Sequence, residues 1–200
     1  MQYLKDAVRK KLEDEALKEF KQKGYRGAAI RSITKNADTS VGNFYKYFDS
    51  KDDLYEKLIG SVYHKLMDYI DQFNKVELNE KTNNLFFELT EKIMEIFEEN
   101  SVELTILLNK SEGSQYENCK SLFVEFITRI VSEKTEYELS LAGKLLTDNF
   151  MISLISYNLV ESIAIILREK EDGTEAKKLI LDIIDIFYKN ITSKLKTRNI

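Results

Sequence analysis

Proline is absent from all 200 residues, and glycine appears only seven times. A sandwich or barrel needs a turn signal every ~8–12 residues, usually built from Gly, Pro, Asn and Asp, and this chain does not supply them. Its long stretches of Leu, Ile, Glu and Lys without an internal breaker read as helices, so the composition points to an all-α fold. A hydrophobic content of 43% is enough for a sizeable core. The length lies where one compact domain shades into two, so a small module joined rigidly to a larger body is expected.

The formal net charge of −4 at first speaks against a nucleic-acid partner, but the charges are unevenly placed. Residues 1–60 carry 13 Lys or Arg against 10 Asp or Glu, whereas residues 61–200 carry 17 against 24. From Lys21 to Lys51 there are seven basic residues and two acidic ones, Asp38 and Asp49. A locally basic end on an acidic body suits a DNA reader. The charged N-terminus lacks the apolar segment of a secretory signal, which gives the expectation of a cytoplasmic protein. Residues 150–167 are apolar enough to suggest a membrane span. They also hold Ser153, Ser156, Asn158, Glu161 and Ser162, a polar load that suits a helix buried in protein, so no membrane partner is expected.

Apolar residues at Leu4, Val8, Leu12, Ala16 and Phe20, widened by Ala7 and Leu17, predict a first amphipathic helix. Gly24 ends it, and Tyr25 is placed to fold back on its apolar face. A short second helix fits residues 29–37, with Ile30, Ile33 and Ala37 inward, followed by a break at Asp38-Thr39. Ser40 caps a third helix over 41–47, whose inward pair is Phe44 and Phe48. Ser50 caps a long fourth helix over 51–74 that has no breaker near residue 60. Further helices are predicted at 81–99, 102–109, 116–134, 140–170 and 174–196, with breaks near 76–79, 100–101, 110–114 and 172–173.

Two short helices around a tight turn, the second with a capped and glycine-containing start, outline a helix-turn-helix. Such a motif lays its second helix in the major groove. Gly42 leaves room for a phosphate, and the free N–H groups of a helix start attract anions. The segment 12–54 resembles the N-terminal signature of the tetracycline-repressor-like (TetR) family. The shared features are Leu12, Ala16, Leu17, Phe20 and Gly24-Tyr25, then Ile30-Arg31-Ser32-Ile33 with Ala37. Ser40-x-Gly42-x-Phe44-Tyr45-x-Tyr47-Phe48-x-Ser50-Lys51-x-x-Leu54 completes the run.

The resemblance implies that Tyr45, Tyr47 and Lys51 contact phosphates, with close backbone approach at Ser40 and Gly42, while Val41, Asn43 and Lys46 face base edges. Asn can read adenine with two hydrogen bonds. Three positions depart from the family pattern. Ala28-Ala29 stands where a capping Thr or Ser is usual, Asp38 replaces a turn glycine, and Thr39 replaces a buried Val.

The last helix is apolar over a wide arc (Leu179, Ile180, Leu181, Ile183, Ile184, Ile186, Phe187 and Ile191), as is 150–167. Helices of this kind bury two sides, one against their own body and one against a second copy, which the resemblance also implies. A homodimer through 145–168 and 174–195 would place two recognition helices on successive major grooves of a palindromic operator.

The resemblance further implies a partly hydrophobic small-molecule effector. It would sit between the fourth helix and those near 81–99, 116–134 and 145–165. Tyr63, Met67, Phe86, Phe97, Phe123 and Phe126 are candidate lining, with Asn149 and Ser153 as polar members needing partners.

With one His (His64), one Cys (Cys119), no phosphate loop, no HExxH and no GxSxG, the chain shows no catalytic constellation, metal site or cofactor motif, and an enzyme is not expected. Cys119 reads as a small packing residue. The expectation is an all-α protein of about nine helices, divided into a DNA-binding module (1–50) and a ligand-sensing, dimerising body (51–200). Its function is that of a ligand-responsive transcriptional regulator, most simply a repressor of an operator in double-stranded DNA. The alternative is a family-like adaptor that binds protein through a degenerate DNA module.

Overall fold

The computed structural model describes residues 2–75, 82–170, 172–189 and 191–199, apart from the side chains of 2–4, 73–74, 82–90 and 199. The break expected at 76–79 lies outside the described residues, as does the side chain of Phe86.

Helix α1 (Gln2–Gly27) buries Leu12, Ala16 and Phe20 completely, whereas Ala7 is exposed and adds nothing to that stripe. Gly24 breaks it at φ 69°, the left-handed value that a side chain resists, and the N–H of Tyr25 then donates to Lys110 O at 2.8 Å. Tyr25 turns its ring back to Phe20 and Tyr55, as its position after the glycine suggests.

Helix α2 (Ile30–Asn36) has no hydroxyl at its start. The buried Glu19 carboxylate replaces it, accepting from the Ala29 N–H at 3.4 Å while paired to Lys23 at 2.9 Å.

Helix α3 (Val41–Phe44) is shorter than the expected 41–47. Beyond Phe44 the backbone tightens to three-residue spacing, with Lys46 N–H on Asn43 O and Tyr47 N–H on Phe44 O. This tightening brings Phe48 beside Phe44, rings 5.4 Å apart and both buried.

The fourth helical run is unbroken but not uniform. α4 (Lys51–Tyr55) passes through a π-helical turn (Glu56–Gly60) into α5 (Ser61–Asn74). The turn crowds Gly60 against its predecessor, because a Cβ there would lie 2.7 Å from the Glu56 carboxylate.

The body is made of α6 (Thr82–Glu99), α7 (Ser101–Asn109), α8 (Cys119–Leu141), α9 (Phe150–Glu169), α10 (Gly173–Tyr188) and the short α11 (Ile191–Lys194). Several expected boundaries move. The helix expected over 116–134 spans Cys119–Leu141 and the next begins only at Phe150, because Gly143 at φ 64° turns the chain into a three-residue strand, β1 (Lys144–Leu146). This strand pairs antiparallel with β2 (Thr197–Asn199), Leu145 opposite Arg198. The expected helix 174–196 ends at Tyr188 and is followed by α11. Despite this small ribbon the architecture is all-α, with the helix-turn-helix at the N-terminus.

α9 lies against α7, α8 and α10, and side chains of α7 satisfy spare carbonyls on it. Thr105 Oγ1 donates to Leu167 O at 2.8 Å, and Asn109 Nδ2 to Ala164 O at 3.0 Å. Its buried Ser156 bonds Tyr188 Oη at 2.9 Å. The helix is long and apolar enough to cross a membrane, but its Leu167 and Ala164 carbonyls and its Ser156 hydroxyl have partners within the helical body.

One hydrophobic core runs from Leu12 and Phe20 through Phe44, Leu54 and Ile59 into Leu107, Val160 and Ile180, so the N-terminal module and the body are packed as one unit.

Candidate nucleic-acid interface

The turn between α2 and α3 depends on Asp38, which takes a positive φ (54°), as no other non-glycine does among the described residues. Asp tolerates this conformation better than most side chains, because its short polar group can bond locally. Thr39 N–H then donates to Thr34 O at 2.9 Å, closing the turn. Ser40 Oγ accepts from the Asn43 N–H at 3.1 Å, the cap expected from the sequence.

The outer face of this element carries Ser40, Gly42, Tyr45 and Lys46, all exposed, with Val41, Asn43 and Tyr47 half-buried at its edges. Tyr45 leaves 54% of its surface open although an aromatic ring of that size normally seeks cover. At Gly42 a Cβ would meet only Ser40 Oγ, at 3.9 Å, and the backbone is not left-handed. Nothing inside the protein requires a glycine there, and its backbone stands open to the outside. Asn43 Nδ2 donates to Thr39 Oγ1 at 2.8 Å.

Lys51 is less free than its sequence position suggests. Its ammonium donates to Tyr25 O at 2.7 Å and Ala28 O at 3.2 Å, and sits 4.4 Å from the centre of the Tyr25 ring. Two of its three N–H groups therefore close the end of α1, and one remains for an outside acceptor. Tyr25 Oη in turn donates to Asp52. Burial and that hydrogen bond push the Tyr25 phenol up to about 12.

Residues 12–58, which run from α1 into the fourth helical run, match the model of the family of bacterial regulatory proteins, tetR family. The N-terminal segment of the chain is that of the TetR family. Among curated proteins, the Staphylococcus aureus biofilm operon icaADBC negative transcriptional regulator IcaR is 23% identical over 187 residues, 91% of this chain and 100% of its own length. The Bacillus subtilis protein YttP, designated an HTH-type transcriptional regulator, is 35% identical over 60 residues. That match spans 30% of this chain and 29% of YttP, less than a third of the relative's length. A crystal structure of a TetR family transcriptional regulator from Chloroflexus aurantiacus shares the fold, with TM-score 0.54 and 20% identity, covering 91% of this chain and 92% of the other. The comparisons support a DNA-binding regulator, and the relatives named are designated transcriptional regulators.

The start of the fourth helical run is tied to the segment between α7 and α8 through polar contacts that periodicity does not reveal. Tyr55, buried and edge-on to Phe20, bonds Ser111 Oγ at 3.0 Å. The Glu56 carboxylate of the π-turn accepts from Tyr116 Oη and Gln115 Nε2 and lies 3.3 Å from His64 Nε2. Burial, then the Glu56 contact, raises the Tyr116 phenol above its ordinary value. His64 is thus a surface residue bonded to Glu56 of its own helical run. Cys119 is buried without a disulfide, its thiol pushed up to about 12 by burial, in keeping with a packing role.

The body contains a cavity of about 520 Å³ between α6, α8, α9, α10 and α11, walled by residues such as Met94, Phe123, Phe126, Ile130, Leu159 and Ile184. Lys134, Glu138 and Thr192 also border it. Among the described residues, α5 contributes none of its lining. Of the expected lining, Phe123 and Phe126 are present. Tyr63 is instead held against Tyr116, ring centres 4.4 Å apart, Met67 packs on the core, and Phe97 is fully buried behind Phe123. Asn149 and Ser153 border a separate shallow groove between α8 and α9, where the Ser153 hydroxyl bonds the Asn149 carbonyl of its own helix.

Proposed function

We propose that this chain is a repressor that binds a palindromic operator as a homodimer and is released by a partly hydrophobic effector. The observation that carries the DNA reading is the outward face of α3, where an exposed tyrosine and an otherwise unexplained glycine sit beside a capped helix start. In this reading Tyr45, Tyr47 and the remaining N–H of Lys51 hold phosphates, Ser40 and Gly42 allow close backbone approach, and Val41, Asn43 and Lys46 face the bases. The two functional parts divide near residue 50, although their core is shared. IcaR's designation as a negative regulator supports repression.

Exposed apolar residues support the dimer. Leu154, Tyr157 and Ile165 form a stripe along α9, and Ile186 adds to it from α10 at 64% exposure. Apolar surface so arranged is stabilised by association with its own copy around a two-fold axis. Leu154→Glu combined with Ile186→Glu should give a folded monomer in light scattering that loses operator affinity; a variant that remains dimeric refutes this interface.

The cavity, large enough for a drug-sized molecule, supports an effector bound by Phe123 and Phe126. A ligand lowers DNA affinity only if it binds the two spacings of the recognition helices unequally. A compound screen by thermal shift should find ligands that raise Tm and weaken binding to the DNA upstream of the gene. Ligands that raise Tm while leaving DNA affinity untouched, across the screen, would refute release by an effector.

A further inference from the structure

We infer that Thr39 determines sequence specificity at the DNA interface by positioning the Asn43 amide. This rests on the reading of Asn43 as a base contact. Thr39 lies in the turn four residues before Asn43, its own backbone fixed by the bond from its N–H to Thr34 O at 2.9 Å. Its Oγ1 accepts a hydrogen bond from Asn43 Nδ2 at 2.8 Å, and both side chains are half-buried. The Asn43 backbone is fixed as well, because its N–H bonds Ser40 Oγ and Ser40 O at 3.1 and 3.0 Å.

An asparagine amide offers two N–H donors and one carbonyl oxygen. With one donor committed to Thr39, a single N–H and Oδ1 remain, which is the pair that adenine N7 and N6 require in the major groove. A β-branched threonine has few χ1 choices, so the group holding the amide is itself stiff. Without that hydroxyl, Asn43 would sample several rotamers in the free protein and lose that freedom on binding, which costs affinity only where the amide meets a base. Thr39 is therefore a positioning residue whose effect is confined to one base pair of each half-site.

The test uses the full chain and a footprinted site in the DNA upstream of its own gene, with single base-pair variants and a scrambled control. Thr39→Val keeps the shape and removes the hydroxyl. It should weaken binding to the site by about two- to tenfold per half-site, with the preference relaxed at the same base pair that Asn43→Ala relaxes. Scrambled-DNA affinity and the salt slope should not change. Thr39→Ser should restore the preference, and adding Thr39→Val to Asn43→Ala should change nothing further. If Asn43→Ala relaxes the preference and Thr39→Val does not, the inference is overturned while the base-contact reading stands. A Thr39→Val that weakens all DNA alike with a fall in Tm shows a structural role and also overturns it. If Asn43→Ala itself leaves every base preference intact, the base-contact reading fails and the inference fails with it.

Discussion

Asp38 combines two liabilities in one side chain, a left-handed backbone and a negative charge beside the DNA-facing helix, and substitutions can separate them. Its φ of 54° lies where an ordinary L-residue is strained by ~1–2 kcal/mol. Asp38→Ala should therefore destabilise the protein by about 1 kcal/mol, a fall in Tm of ~2–4 °C for a chain of this length. Asp38→Gly relieves the strain but adds ~0.5–1 kcal/mol of unfolded-state entropy, so its net effect on stability should be small. Asp38→Asn keeps the tolerance for this conformation and removes only the charge.

For the electrostatic part, unit charges ~8 Å apart in water repel by ~0.5 kcal/mol. Two half-sites give ~1 kcal/mol, or roughly fivefold in affinity at low salt. Near 0.15 M salt, where the screening length is itself ~8 Å, about twofold should remain. Fluorescence anisotropy on operator and scrambled DNA at two salt concentrations, with melting curves of the free variants, measures both parts. Asp38→Asn should bind both DNAs more tightly, and more so at low salt. If it binds scrambled DNA no better than the parent at low salt, Asp38 does not lie beside the phosphate backbone. If Asp38→Ala melts with the parent, the left-handed turn is not what holds α2 to α3.

Lys51→Ala should do two things at once, reducing the salt dependence by about one phosphate's counterion release per half-site and lowering Tm, because the carbonyls of Tyr25 and Ala28 lose their donor; an unchanged salt slope with a lower Tm assigns Lys51 to helix closure alone. Glu19→Ala should cost about 1–2 kcal/mol in chemical denaturation, by leaving the Ala29 N–H without its acceptor and removing a buried carboxylate's pairing, whereas Glu19→Gln should recover part of the loss. Cys119, buried and with its thiol pushed up to about 12, should resist a thiol-specific disulfide reagent at pH 8 in the native protein and react within seconds once unfolded; fast native reaction would show that the α8 start opens readily.

The helical class, the caps at Ser40 and Ser50, the end of α1 at Gly24 and the inward pair Phe44 and Phe48 were all legible in the sequence, because each is set by residues within one or two turns of one another. The family signature was legible for the same reason, since it lies in one contiguous run. Other features depended on residues far apart along the chain. Glu19 could be recognised as the cap of α2 only once α1 lay across it, and Lys51 as a closure of α1 only once α4 lay beside it. Tyr63 left the expected pocket because Tyr116, 53 positions later, covers it. The ribbon of Lys144–Leu146 with Thr197–Asn199 likewise joins segments that carry no local strand pattern. Local periodicity decides which residues form a helix and which way they face. Long-range packing decides which polar groups become partners and where empty space remains, because those outcomes depend on distances between elements that no single stretch of sequence encodes.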